Sequence, residues 1–172
     1  VAEPLGEEQW HLLEPADDVG APPHSASRRE RARAATIEEI KDTALRVMRQ
    51  QGTTDVRFSE IAREMGMTAP ALYRYFADGD ELLTALIVDA YDRLGGAVAL
   101  ARDAVDPDDI GGRMLAVAQA YRRWASEEPQ QFALILGMPV PGYAAQPEGP
   151  TTEAARRAME QMKALFLEAA RL

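Results

Sequence analysis

Between Phe58 and Phe76 the residue types follow an order that suits nucleic-acid chemistry. Ile61 and Met65 stand four apart on one face of a short helix, and the small Ala62 beside them lets a second helix cross closely. Gly66 falls where that helix must stop and the chain can turn left-handed. Met67 plugs the turn, Thr68 is a good N-cap for the next helix, and Pro70 lies in that helix's first turn, where its missing N–H costs nothing. Leu72 and Phe76 make the inner face of the second helix. Ala69, Pro70, Tyr73 and Arg74 are left outside, a small exposed face able to approach DNA. Upstream, Arg28, Arg29, Arg31 and Arg33 crowd ahead of the first periodic helix and supply local positive charge for phosphate.

The blocks Ile61-Ala62, Gly66-Met67-Thr68, Leu72-Tyr73-Arg74-Tyr75-Phe76 and Asp80-Glu81-Leu82-Leu83 resemble the tetracycline-repressor (TetR) family of bacterial transcription regulators. The resemblance covers residues 36–85. It implies that the second helix of the motif lies in the major groove, with Ser59, Thr68, Ala69, Pro70, Ala71, Tyr73 and Tyr75 toward DNA. Arg33 and Thr36 would touch the backbone from the start of the first helix. The hydroxyls of Tyr73 and Tyr75 suit phosphate oxygens, whereas Pro70 and Ala71 suit a thymine methyl. Packing within the head is the competing role for each tyrosine. Many members carry Lys where this chain has Gly79, so one phosphate contact is absent and the arginine cluster is expected to replace it. With few base-reading groups on this face, modest specificity or reliance on DNA shape follows.

A second resemblance covers residues 114–143. Tyr121-x-x-Trp124-Ala125, Pro129, Phe132, Ile135-Leu136-Gly137 and Pro139-Val140-Pro141-Gly142-Tyr143 are similar to the ligand-binding half of one branch of that family. It implies a pocket for a small apolar effector. Its candidate walls are Met114, Tyr121, Trp124, Phe132, Leu136, Met138, Tyr143, Met159 and Met162. The same side chains at helical spacing read equally as ordinary core. The family also implies a homodimer on a palindromic operator of double-stranded DNA, and no cofactor.

The net charge of −9 looks wrong for a DNA binder, but its distribution answers the objection. Residues 1–27 carry −6, residues 28–80 carry +1 and residues 81–172 carry −4, so the only positive third holds the motif. Residues 1–27, with four prolines, read as an acidic, flexible tail in which Trp10, Leu12 and Leu13 are out of character.

Apolar residues stepping by three and four predict helices over 36–51, 58–65, 68–76, 80–103, 110–126 and 129–137, and a last one from about 151. Thr36 and Glu39 have capping-box spacing for the first. In the long helix Leu83, Leu86, Ile87, Ala90, Leu94 and Val98 trace the buried stripe, and Gly95-Gly96 predict a bend or a close helix contact. The next stripe is Met114, Val117, Ala118, Tyr121 and Ala125; the last is Ala155, Met159, Met162, Phe166 and Ala169. Residues 138–150 hold four prolines and read as a loop. No strand is convincing, so the expected fold is all-α. A three-helix helix-turn-helix head over 28–79 would join a ligand-binding and dimerisation body over 80–172, expected to be incomplete at its C-terminal end.

The chain has no cysteine, His11 and His24 lie in the expected tail, and no phosphate loop or metal-ligand spacing occurs, so an enzyme is not expected. No apolar run reaches the roughly 18–20 residues of a membrane span, and a cytoplasmic, nucleoid-associated bacterial protein is expected. The sequence therefore reads as a ligand-responsive regulator, most simply a repressor released by its effector. The alternative is a helical sensor or protein-interaction module that has lost DNA reading.

Overall fold

The computed structural model of the chain describes residues 27–137 and 140–170. The expected tail, apart from Ser27, and Met138 lie outside the described residues. Among the described residues the chain is helical throughout: α1 (Arg28–Gln51), α2 (Phe58–Glu64), α3 (Ala69–Leu72), α4 (Gly79–Asp103), α5 (Ile110–Glu127), α6 (Pro129–Leu136) and α7 (Pro150–Ala169). Among the described residues, those up to Ala34 and those from Ala35 on fall in separate compact units, and the core packing described below lies within the second.

α1 begins eight residues before the expected Thr36. The capping box that starts it is Ser27–Glu30: the Ser27 N–H donates to Glu30 Oε2 at 2.6 Å, and the Glu30 N–H donates to Ser27 Oγ at 3.2 Å. These bonds hold the Glu30 carboxyl below its ordinary pKa. Thr36 is interior to the helix because Arg and Ala, good helix formers, fill 28–35 and leave nothing to stop it. The helix ends as expected at Gly52, with φ +63° and the Thr53 N–H bonded back to the Met48 carbonyl.

Two apolar clusters form the core. The first joins Ile40, Ala44 and Met48 of α1, Phe58, Ile61 and Ala62 of α2, Leu72 and Phe76, the α4 residues Leu82, Leu83, Leu86 and Ile87, and Leu134 of α6. The second joins Ala90, Leu94 and Val98 of α4 with Val117, Ala120 and Trp124 of α5 and Leu165 of α7. α4 therefore runs through both, and its buried stripe is the expected one with Leu82 and Gly95 added. An ion pair reinforces the first cluster. Lys41, buried on α1, donates to Asp89 of α4 at 2.6 Å and pairs with Glu38 at 2.7 Å. Burial pushes the Lys41 ammonium pKa down, but the two carboxylates outweigh it and the net shift is up.

α7 is rotated from expectation, whereas α5 keeps Met114, Val117, Tyr121 and Ala125 against the second cluster as expected. α5 buries Val117, Ala120 and Trp124 and exposes Ala118. α7 buries Thr151, Ala154, Ala158 and Leu165, leaving Met159 at 38% and Phe166 at 59% exposure. The cause is a close crossing with α4. A Cβ added at Gly95 would stand 3.2 Å from the Ala158 Cα, so the two helices meet through their smallest residues. The close helix contact read from Gly95-Gly96 is thus formed by Gly95 alone.

Candidate nucleic-acid interface

α2 closes on its turn through a Schellman arrangement. Gly66 takes φ +64°, the Met67 N–H donates to the Ala62 carbonyl at 2.8 Å, and the Gly66 N–H donates to the Arg63 carbonyl at 3.2 Å. Ile61 and Ala62 are buried on one side of this turn and Leu72 and Phe76 on the other, which fixes how α3 crosses α2. α3 is shorter than expected. It holds only Ala69–Leu72, and the chain goes on in a tighter coil, with the Arg74 N–H to Ala71 O and the Tyr75 N–H to Leu72 O. Thr68 is the N-cap residue by its extended backbone, but its hydroxyl makes no capping bond.

Ser59, Thr68, Pro70 and Tyr73 are exposed, Ala71 and Tyr75 are half-buried, and Ala69 is half-buried against the core. The Tyr73 ring stands 5.0 Å, centre to centre, from the ring of the buried Phe58, yet 58% of the residue is exposed. The ring is thus held by packing while the side chain stays accessible, so the two roles read for Tyr73 are compatible. Arg33 is exposed and Thr36 half-buried, both inside α1. Arg63, which sequence reasoning passed over, shares a face of α2 with Ser59 at i, i+4 and makes no ion pair with any described residue. Its exposure and its four-residue spacing from Ser59 were the signals available. Arg57, by contrast, is held by Asp55 at 2.9 Å and Glu60 at 3.5 Å, contacts that raise its pKa.

This turn and its buried and exposed faces match a known pattern. The family description "Bacterial regulatory proteins, tetR family" matches residues 40–86, and "Tetracyclin repressor-like, C-terminal domain" matches residues 114–172. The chain belongs to the TetR family of transcriptional regulators. It is 40% identical over 121 residues to the HTH-type transcriptional regulator Rv1816 of Mycobacterium tuberculosis, an alignment covering 70% of this chain and 52% of that one. It is also similar to the solved structure of the protein SCO4313, with 39% identity and a TM-score of 0.67 over 78% of this chain and 63% of that one. The TetR-family regulator PfmR of Thermus thermophilus shares the fold at 21% identity, with a TM-score of 0.60 over 77% and 70% of the two chains. The chain spans about half the length of the curated relatives it matches. These relatives are transcriptional regulators and not enzymes.

In this TetR-family chain the residues read as effector walls do not come together as one set. Met114, Tyr121, Trp124, Phe132 and Met162 meet in the second core cluster, with the rings of Tyr121 and Phe132 edge-on at 6.4 Å. The Trp124 Nε1 in that cluster and the Gln131 Oε1 of α6 are buried without a partner among the described residues. Leu136 and Met159 lie at the surface. Tyr143 stands apart, beside a hollow of about 290 Å³ that none of the other described wall residues lines. Its walls are Ile87 and Tyr91 of α4, Leu134 of α6, Val140 and Tyr143 of the following loop, and Thr151, Thr152 and Ala155 of α7. The Tyr143 hydroxyl lies 3.0 Å from Thr84 Oγ1, and the Tyr91 hydroxyl donates to the Ile135 carbonyl at 3.2 Å. Burial pushes the Tyr91 phenol pKa up. Sequence reasoning missed this hollow because its walls come from four elements and include threonines and alanines, which carry no periodic signal.

Proposed function

We propose that this TetR-family chain is a ligand-responsive DNA-binding regulator, acting as a homodimer that represses transcription until a small, mostly apolar effector releases it from a palindromic operator. In this reading residues 28–79 are the DNA-binding head and residues 80–172 the ligand-binding and dimerisation body, in a cytoplasmic, nucleoid-associated protein. The observation that carries it is the face made by Ser59, Thr68, Pro70 and Tyr73, exposed on a turn whose other side is locked by Ile61, Leu72 and Phe76. A dimer would set two such faces into successive major grooves about 34–36 Å apart. Exposed Leu100, Leu115 and Phe166 supply apolar surface that favours association. No helix among the described residues is long and apolar enough to cross a membrane.

An effector can act only through its different affinity for the two conformers. α4 is the natural lever, since it enters the head cluster with Leu82 and Leu83 and the body cluster with Leu94 and Val98. The test is selection from random duplex DNA followed by titration against salt. A palindromic consensus is expected, and replacing Arg28, Arg29, Arg31 and Arg33 by Gln should flatten the log–log salt slope by about 0.9 per lost phosphate contact. Failure to enrich any sequence, together with a flat salt response of the unaltered chain, would instead support the protein-interaction module.

A further inference from the structure

The hollow beside Tyr143 adjoins a second one, also about 290 Å³, and the two share Tyr143 and Thr151. The walls of the first are apolar at Ile87, Leu134 and Val140 and polar at Thr151 and Thr152, where α7 begins. That beginning has no capping side chain. Its N-cap is Gly149, which has no side chain to give, and the first backbone bond of the helix runs from the Glu153 N–H to the Gly149 carbonyl. The N–H groups of Thr151 and Thr152 therefore have no acceptor within the helix. Thr152 turns its hydroxyl to the Gln146 carbonyl at 2.9 Å. Thr151 is only 5% exposed and lines both hollows, and its hydroxyl makes no hydrogen bond to any described residue. It is not among the side-chain polar atoms fully buried without a partner, so it opens onto the hollow and can donate to a molecule there.

The charges narrow what that molecule is. Among the described residues no Lys, Arg or His lines either hollow, and Asp80 and Glu81 line the second. An anion would meet those carboxylates with no counter-charge. A cation would gain little, because Glu81 is engaged by the Ala77 N–H and both acids sit in the first turn of α4, against its positive end. We infer that the paired hollows are the effector site, and that the effector is a neutral, mostly apolar molecule bearing an oxygen acceptor, such as a ketone, ester or lactone. Its oxygen accepts from Thr151, and its carbon body lies against Ile87, Leu134 and Val140. The inference rests on the ligand-responsive reading above, and it moves the site from the Trp124 cluster to the start of α7.

The test uses three probes of one shape: 4-phenylbutan-2-one, 4-phenylbutanoate and 4-phenylbutan-2-amine. Each is titrated into the methyl-labelled full chain and followed by NMR. The ketone should bind tightest and give intermolecular NOEs to the methyls of Ile87 and Val140. Thr151→Val should weaken it about three- to tenfold, the loss of one hydrogen bond, and Thr151→Ser, which keeps the hydroxyl, should restore it. Circular dichroism checks that both variants fold. The site is overturned if the NOEs fall on other methyls or are absent at millimolar ketone, or if Thr151→Val binds like the unaltered chain. The chemistry is overturned if the carboxylate or the ammonium binds tighter. A gel shift with the selected operator keeps the two readings apart. Binding at Thr151 in a chain whose operator complex no ketone, ester or lactone dissociates leaves the site standing and sinks the regulatory reading. Release by compounds that contact other methyls does the reverse.

Discussion

Gly95 and Gly96 are neighbours in α4, and they should respond oppositely to one added methyl group. In a helix interior, Gly to Ala gains about 1 kcal/mol from propensity alone. A Cβ at Gly96 would meet nothing within 4 Å, so Gly96→Ala should keep that gain. A Cβ at Gly95 would lie 3.2 Å from the Cα and 3.4 Å from the Cβ of Ala158. Carbon atoms rest at about 3.5–4.0 Å, so the two backbones must part by a few tenths of an ångström. Ala154 and Ala158 are 0% and 2% exposed, and neither has a flexible end that can move aside. Overpacking of this kind costs about 1–3 kcal/mol, which offsets or exceeds the propensity gain. Gly95→Ala should therefore be neutral to about 2 kcal/mol destabilising, and Gly96→Ala about 1 kcal/mol stabilising. In a domain of this size 1 kcal/mol moves Tm by roughly 2–4 °C, so scanning calorimetry separates the two variants. Ala158→Gly removes only the contact at 3.4 Å and leaves the Cα at 3.2 Å, so in a double-mutant cycle it should couple favourably but partially with Gly95→Ala, and be additive with Gly96→Ala. If Gly95→Ala raises Tm as far as Gly96→Ala does, the α4–α7 crossing is not close, and the cause given for the rotated α7 fails with it.

Other consequences are as open to measurement. Tyr73→Phe keeps the ring on Phe58, so it should leave Tm unchanged yet weaken operator and random duplex alike by roughly tenfold, the value of one hydrogen bond to a charged phosphate; a loss confined to the operator would mean the hydroxyl reads a base. The Asp78 carboxylate caps α4 by accepting from the Glu81 N–H at 2.8 Å, and Asp78→Ala should cost about 1 kcal/mol in urea unfolding. The raised Lys41 pKa gives a stabilisation that is complete below the ordinary lysine value of about 10.4 and is lost as pH climbs through the higher folded value. Lys41→Met should therefore abolish that part of the alkaline decline in stability, and an identical alkaline profile in the variant would show that the Asp89 pair contributes nothing.

What the sequence made legible, and what it hid, divides along one physical line. A helix end marked by a residue of special backbone freedom was placed well: Gly66 takes the left-handed turn read for it. The α4 stripe was readable because it is made of large side chains at regular steps. The start of α1 was misplaced because Thr36–Glu39 and Ser27–Glu30 have the same spacing, and only the good helix formers between them favour the earlier one. α7 was misread for a different reason. Hydrophobic periodicity weights bulk, so Met159 and Phe166 were read as inward, but the helix is seated on Gly95 through Ala154 and Ala158, whose value lies in how little room they take.

The same bias bears on the proposed effector site. Aromatic and methionine side chains drew attention to Trp124, yet those that surround it fill space against one another in the second core cluster. The hollow beside Tyr143 is framed by threonine, alanine and the ends of helices, where α7 starts without a capping side chain and the Thr151 hydroxyl makes no hydrogen bond to a described residue. Large apolar residues are conspicuous in sequence because they fill volume, and a binding site is volume left unfilled. Its marks are small residues and unmet hydrogen-bonding groups, which become legible only once the helices α4, α6 and α7 are in place.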